Sequence, residues 1–274
     1  MEIIDAHVHS LECGIMCGGE VDVRLEPVMN GLNEMGISKA LFVPINDISW
    51  QDVDKMNDYM VDIVKNNKNI IGFIDIDIDI DISKVHYYRG IEKLENYIKK
   101  YHKLGLKGIK VHLQNLGVNF DDWRLLSVYK TAEELNIPIM VHCYPGAPPG
   151  GTDNSNPIYM DKILRVFHKT KFIISHLGGI YYFPQMTLIN HDNVYFETSS
   201  SINILKKYFG IEFIRAVFED IGYDKIFFGS DYPTEDSLES QIDTMKEIIP
   251  EKYHEDVFSK NIIKFGKNYG WWDL

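Results

Sequence analysis

The sequence predicts a (β/α)8 TIM barrel of the α/β class. Three observations carry that reading. Eight short apolar, β-branched runs recur along the 274 residues, each followed by a stretch with helical periodicity. No linker interrupts the alternation, so one barrel domain spanning residues 1–274 is expected. Histidines, a lysine and an aspartate cluster at the carboxyl ends of the runs, where the strands of a barrel share one mouth.

The first strand is predicted over residues 3–9, Ile-Ile-Asp-Ala-His-Val-His, and the second over 39–45. The third, 70–79, runs into an alternating Asp-Ile series from Asp75 to Asp81. Carboxylates at every second position lie on one face of a strand and suggest a cation site, but the preferred reading is a strand and its exit with one polar face, Asp77 being a pocket candidate. A helix is expected over 91–104, a fourth strand over 108–113, a helix over 122–135 and a fifth strand over 137–143. The Pro- and Gly-rich residues 145–157 read as a long loop. Strands at 172–176, 194–198 and 225–230, with a helix over 204–220, complete the eight units.

An open doubly wound sheet is disfavoured because no phosphate-binding glycine loop follows the first strand: Gly14, Gly18 and Gly19 follow two histidines and open no evident helix. With 40 acidic against 28 basic residues the net charge is −12, which repels a nucleic-acid backbone. No apolar run reaches the ~20 residues that span a bilayer, and the Met-Glu-Ile-Ile-Asp start lacks a signal-peptide pattern. These features predict a cytoplasmic protein with a small-molecule substrate and no nucleic-acid or membrane partner, a homodimer being left open. Cys13, Cys17 and Cys143 read as reduced thiols, because the Cys13–Cys17 spacing has no second ligand pair to complete a structural zinc site.

The chemistry is expected at the strand ends. His7 and His9, one residue apart on a strand, point to the same face and can grip one metal ion. Asp5 shares that face in this reading and is expected to orient a histidine through its second ring nitrogen. Lys110 and His112 close the fourth strand, His142 the fifth and His176 the sixth, while Asp231 follows the eighth. Any one of these is as readily a packed core histidine or a surface residue, but a shared rim makes a single site the simpler account. Trp50, Tyr144, Tyr181, Tyr182, Phe183 and Tyr232 follow strands and offer a pocket wall, Tyr144 and Tyr232 being the stronger substrate-contact candidates beside Lys110 and His112. Arg24 and Arg89 are further candidates for binding a substrate carboxylate.

In this order the motifs are His-x-His (His7, His9), Gly-x-Lys-x-His (Lys110, His112), the fifth-strand His142, His-x-Gly-Gly (His176, Gly178, Gly179) and Gly-Ser-Asp-x-Pro (Gly229, Ser230, Asp231, Pro233). Together they resemble the amidohydrolase superfamily, and most closely the amidohydrolase-2 group that includes aminocarboxymuconate-semialdehyde decarboxylase. The resemblance implies a distorted barrel with one divalent metal ion held by His7, His9, His142 and Asp231. It places His176 beside the activated water as an acid/base or orienting residue. Zinc is the expected metal, with Mn2+, Fe2+ or Co2+ compatible with such ligands. In binuclear members a carboxylated lysine bridges two ions, but the form around Lys110 resembles mononuclear members.

A catalytic zinc lowers the pKa of water to about 7. Asp231 could then shuttle a proton, and His176 could stabilise negative charge on a carbonyl oxygen. The expected activity is hydrolysis of an amide, lactone or ester bond, the alternative a nonoxidative decarboxylase or hydratase using the same constellation. A noncatalytic metal-binding barrel is the reading from a different class, and the full ligand set weighs against it.

Overall fold

The computed structural model describes residues 1–16, 19–46, 52–78, 87–144, 152–179, 188–234 and 237–272. Eight strands, Ile3–Val8 (β1), Ile37–Phe42 (β2), Ile70–Ile74 (β3), Gly108–Val111 (β4), Ile139–Val141 (β5), Phe172–Ile174 (β6), Val194–Glu197 (β7) and Ile226–Phe227 (β8), form one sheet. They pair in chain order and all in parallel. The chain beyond β8 returns to β1. Ala6 N donates to Phe228 O (2.8 Å), Asp231 N to His7 O (2.8 Å) and His9 N to Tyr232 O (2.9 Å), so the first and last strands close the barrel. A small hairpin, Ile15–Met16 against Val21–Asp22, follows β1.

Helices connect the strands: Leu25–Glu34 (α1), Val53–Asn66 (α2), Tyr87–Lys103 (α3), the single turn Leu113–Leu116 (α4), Leu126–Leu135 (α5) and Asp161–Val166 (α6). After β7 come Ile202–Phe209 (α7) and Ile211–Ile221 (α8), and after β8 Leu238–Ile248 (α9) and Asn261–Lys267 (α10). Local chemistry starts two of them. Asp52 accepts the Lys55 N–H at the head of α2, and Ser237 accepts the Ser240 N–H at the head of α9. Among the described residues no helix is long and apolar enough to cross a membrane.

Apolar side chains fill two layers. One lies between strands and helices; the other, with Phe73, Met140 and Phe227 continued by Phe265 and Trp271, occupies the barrel below the mouth. Met140 and Phe227 stand two residues before His142 and Gly229, so the period of two carries each strand from apolar filling to the polar rim.

Three expectations about elements are corrected. The third strand ends at Ile74, not Asp79. Asp75 leaves the ladder and is buried, its carboxylate taking the Asn46 amide and its N–H donating to Asn57 Oδ1 (2.8 Å), while Asp77 is exposed. Asp79 and Asp81 lie outside the described residues. The helix expected over 204–220 is two helices, broken at Gly210, whose φ of 78° and ψ of 169° suit glycine and end the first. The eighth strand is two residues long because the chain from Phe228 onward bends to reach β1.

Candidate active site

The β1 histidines each commit one nitrogen to an acceptor. His7 Nδ1 donates to Glu197 Oε1 (2.8 Å) and His9 Nδ1 to the carbonyl of Val43 (2.8 Å). Each imidazole then keeps its lone pair on Nε2, and both Nε2 atoms face Asp231 Oδ1, at 3.4 Å from His7 and 2.8 Å from His9. The two rings lie 4.9 Å apart between centroids. Asp231 stands in the left-handed region at φ 63°, and its Oδ2 accepts the Ser200 hydroxyl at 2.6 Å. Burial pushes the Asp231 carboxyl up, but His7 and His9 opposite outweigh it and hold it well below the carboxylate range.

Asp5 has a different role from the one expected. Between the pairs Asp5–Ala40 and Val8–Phe42, β1 carries one residue more than β2. This bulge breaks the period of two between Asp5 and His7. The Asp5 carboxylate accepts the N–H groups of His7 and Ser230 (3.0 Å each) and the Ser230 hydroxyl (2.5 Å), and touches no imidazole nitrogen. It ties β1 to the chain after β8. Burial raises its pKa to about 7.

Glu197 takes the place predicted for Asp5. It ends β7, is fully buried, and accepts His7 Nδ1, the His176 N–H (3.0 Å), the Ser199 N–H (2.8 Å) and the Ser199 hydroxyl (2.9 Å). Burial alone would raise its carboxyl; His7 and these hydrogen bonds bring it down to about 2. Burial and then the Lys110 ammonium lower His7 to about 3, leaving a neutral imidazole as the donor. The signal that selected the histidines, a polar residue ending an apolar strand, also marks Glu197.

On the other side of the mouth, the Lys110 ammonium group lies 3.2 Å from His7 Nε2, and burial lowers its pKa to about 8. His112 stacks on His142 with centroids 3.6 Å apart, and its N–H donates to Asn46 Oδ1 (2.6 Å). His142 Nδ1 bonds His176 Nε2 (3.0 Å), and His176 Nδ1 reaches the Ser199 carbonyl (3.1 Å) and hydroxyl (2.8 Å). Burial first, then neighbouring cations, keeps His112 and His142 well below the ordinary imidazole range. The Tyr144 ring stands 5.3 Å from that of His176.

His7, His9, Lys110, His112, His142, Tyr144, His176 and Asp231 are thus brought together. Tyr232 is not. Its hydroxyl end lies over Gly31 of α1, because its peptide turns with the closing strand and the ring packs outward against the helix. Arg24 pairs with Asp22 at the surface (2.6 Å). Trp50, Tyr181, Tyr182, Phe183 and the Arg89 side chain lie outside what the structure describes, as do Cys17 and Gly18.

The donor set fits a metal ion. His9 Nε2 and Asp231 Oδ1 are two acceptors in contact, an arrangement satisfied by a shared proton or by a cation between them. Together with His7 they offer three ligand atoms within reach of one ion, of the nitrogen and oxygen kinds that suit a divalent metal. Each histidine has its second nitrogen fixed by an oxygen acceptor, as ligand imidazoles generally do.

A family model described as amidohydrolase matches residues 4–265. The chain belongs to the amidohydrolase family. Members of this metal-dependent family are enzymes, and so is this protein. No curated protein sequence matches it. Among solved structures, an uncharacterized TIM-barrel protein from Bordetella bronchiseptica is similar with a TM-score of 0.76 at 16% identity, over 98% of this chain and 100% of that one. A Pseudomonas putida protein provisionally named 2-pyrone-4,6-dicarboxylic acid hydrolase gives 0.72 at 16%, over 100% and 98%. A dihydroxybenzoic acid decarboxylase from a Polaromonas species, solved with manganese and 2-nitroresorcinol, gives 0.70 at 16%, over 97% of each chain. At these identities the likeness establishes the barrel.

Proposed function

We propose that this amidohydrolase is a cytoplasmic hydrolase of one domain that cleaves an amide, lactone or ester bond of a small organic molecule, using one zinc ion. The observation that carries the reading is the convergence of His7 Nε2, His9 Nε2 and Asp231 Oδ1, each backed by its own hydrogen-bond partner. In this proposal these three residues hold the ion and His142 completes the set through Nε2, its Nδ1 being engaged by His176. A bound divalent ion supplies Lewis acidity, polarising a carbonyl and lowering the pKa of water.

The chain's own groups do the rest. Asp231, with Oδ2 anchored by Ser200, accepts the proton of the attacking water and returns it to the leaving group. His176, held at Nδ1 by the Ser199 carbonyl, accepts the His142 Nδ1–H at Nε2 and so orients the His142 ring beside the reacting centre. Lys110 and His112 bind the acyl portion of the substrate, and Tyr144 forms a wall beside His176. The hydrolase named among the structural neighbours supports the reading, and the decarboxylase marks its competitor.

Two measurements test it. Elemental analysis of protein purified without added metal is expected to find about one equivalent of zinc, whereas about two would give Lys110 a bridging role and none would end the proposal. Metal-loaded protein is then offered lactones, esters, amides and aromatic carboxylic acids. Hydrolysis is expected; release of carbon dioxide without hydrolysis would replace it with the lyase.

A further inference from the structure

Glu197 is a buried carboxylate at the mouth that the proposed chemistry leaves without a role. All four of its hydrogen-bond contacts are filled by donors. Oε1 takes His7 Nδ1 at 2.8 Å, the His176 N–H at 3.0 Å and the Ser199 hydroxyl at 2.9 Å, and Oε2 takes the Ser199 N–H at 2.8 Å. Three strands therefore meet on one group. A fourth makes room for it: a Cβ on Gly229, beyond β8, would overlap Glu197 Oε2.

His7, His176 and Glu197 also satisfy the distance requirement of a cation site. The backbone groups argue against that use, because two N–H dipoles already point their positive ends at the carboxylate and cannot act as ligands. An acceptor-only anchor accounts for every contact.

We propose that Glu197 is the positioning residue of this site, setting the tautomer of His7 and the backbone and ring orientation of His176 without itself binding ion or substrate. The reasoning follows the protons. With its Nδ1–H committed to Glu197, His7 carries its lone pair on Nε2, the atom that faces Asp231 and Lys110. His176 sits at φ 60°, a left-handed conformation unfavourable for a non-glycine residue, and its N–H in that conformation ends on Glu197. Ser199 extends the same anchor to His176 Nδ1. One carboxylate thereby aligns a ligand imidazole on β1 with the acid/base imidazole after β6. A glutamine cannot reproduce this, since it offers one acceptor oxygen and turns an NH2 group toward partners that donate.

The inference rests on the metal-dependent reading above, and its test begins with an arm that needs no metal. In metal-free full-length protein, nitrogen-resolved histidine NMR is expected to find His7 as the Nδ1–H tautomer, and Glu197→Gln to shift it toward Nε2–H. An Nε2–H tautomer in the unsubstituted protein overturns the proposal. In the second arm, Zn2+ titrated against a competing chelator is expected to bind E197Q ~10–100-fold more weakly, with Glu197→Asp in between. Unchanged zinc affinity in E197Q overturns the proposal as well. Failure of the unsubstituted protein to bind zinc refutes the metal reading instead, leaving the tautomer result to judge Glu197. Should E197Q not fold, the native tautomer and the E197D titration decide.

Discussion

On the side of the mouth built by β1, β7 and β8, both β1 histidines end their Nδ1 on an oxygen. His7 meets Glu197, His9 meets the Val43 carbonyl and Asp231, and Asp231 in turn is held by Ser200. On the side built by β4 and β5, Lys110, His112 and His142 mainly meet other nitrogen groups: Lys110 lies against His7, His112 stacks on His142, and His142 bonds His176. Burial disfavours charge on this second side, pulling Lys110 to about 8 and both histidines well below their usual range. The contrast separates two duties. The first side is a preorganised cage; the second lends His142 to that cage and keeps Lys110 and His112 as groups poised for an acidic or carbonyl-bearing partner.

Substitutions that break the cage should have the largest effects. Asp231→Asn removes the proton carrier and the negative charge that faces the ion, so turnover on the substrate found by screening is expected to fall ~10²–10⁴-fold, with zinc affinity reduced as well. Retention of turnover would dissolve the distinction between the two sides. Gly229→Ala places a methyl group where Glu197 Oε2 lies. It is expected to destabilise the fold by ~1–3 kcal/mol in a denaturant titration and to weaken zinc binding, though the residue bears no functional group. An unaltered midpoint would mean that the cage is less closely packed than its hydrogen bonds indicate. The smallest effect is expected on the β4–β5 side. His112→Phe keeps a ring to stack on His142, worth about 0.5–1.5 kcal/mol, so zinc stoichiometry should be unchanged while KM rises by roughly tenfold or less. A loss of zinc in that variant would move His112 into the cage.

Much of this arrangement is legible in the sequence. His7, His9, Lys110, His142, His176 and Asp231 stand out because a polar side chain ending a buried apolar strand needs a partner, and a barrel gathers all such ends at one mouth. Glu197 meets the same criterion, but a single acid in a strand does not by itself distinguish a buried anchor from a solvent-facing side chain. Asp5 departs from the expected role for a local reason: the bulge in β1 adds a residue to the count, and alternation holds only where the ladder is regular. Tyr232 lies away from the mouth because the chain beyond β8 bends back to hydrogen-bond with β1, and that turn aims its ring at α1.

Sequence alone determined the eight repeating units, their order around the barrel and the residue types at its mouth, because hydrophobic periodicity and strand length are local properties of the chain. Tertiary structure decided which nitrogen of each histidine faces the centre, that Glu197 rather than Asp5 backs His7, and that β1 and β8 close through Asp5 and Ser230. Those outcomes depend on hydrogen bonds between residues as many as 225 positions apart. Such bonds exist only once the strands are in register, so no local pattern encodes them.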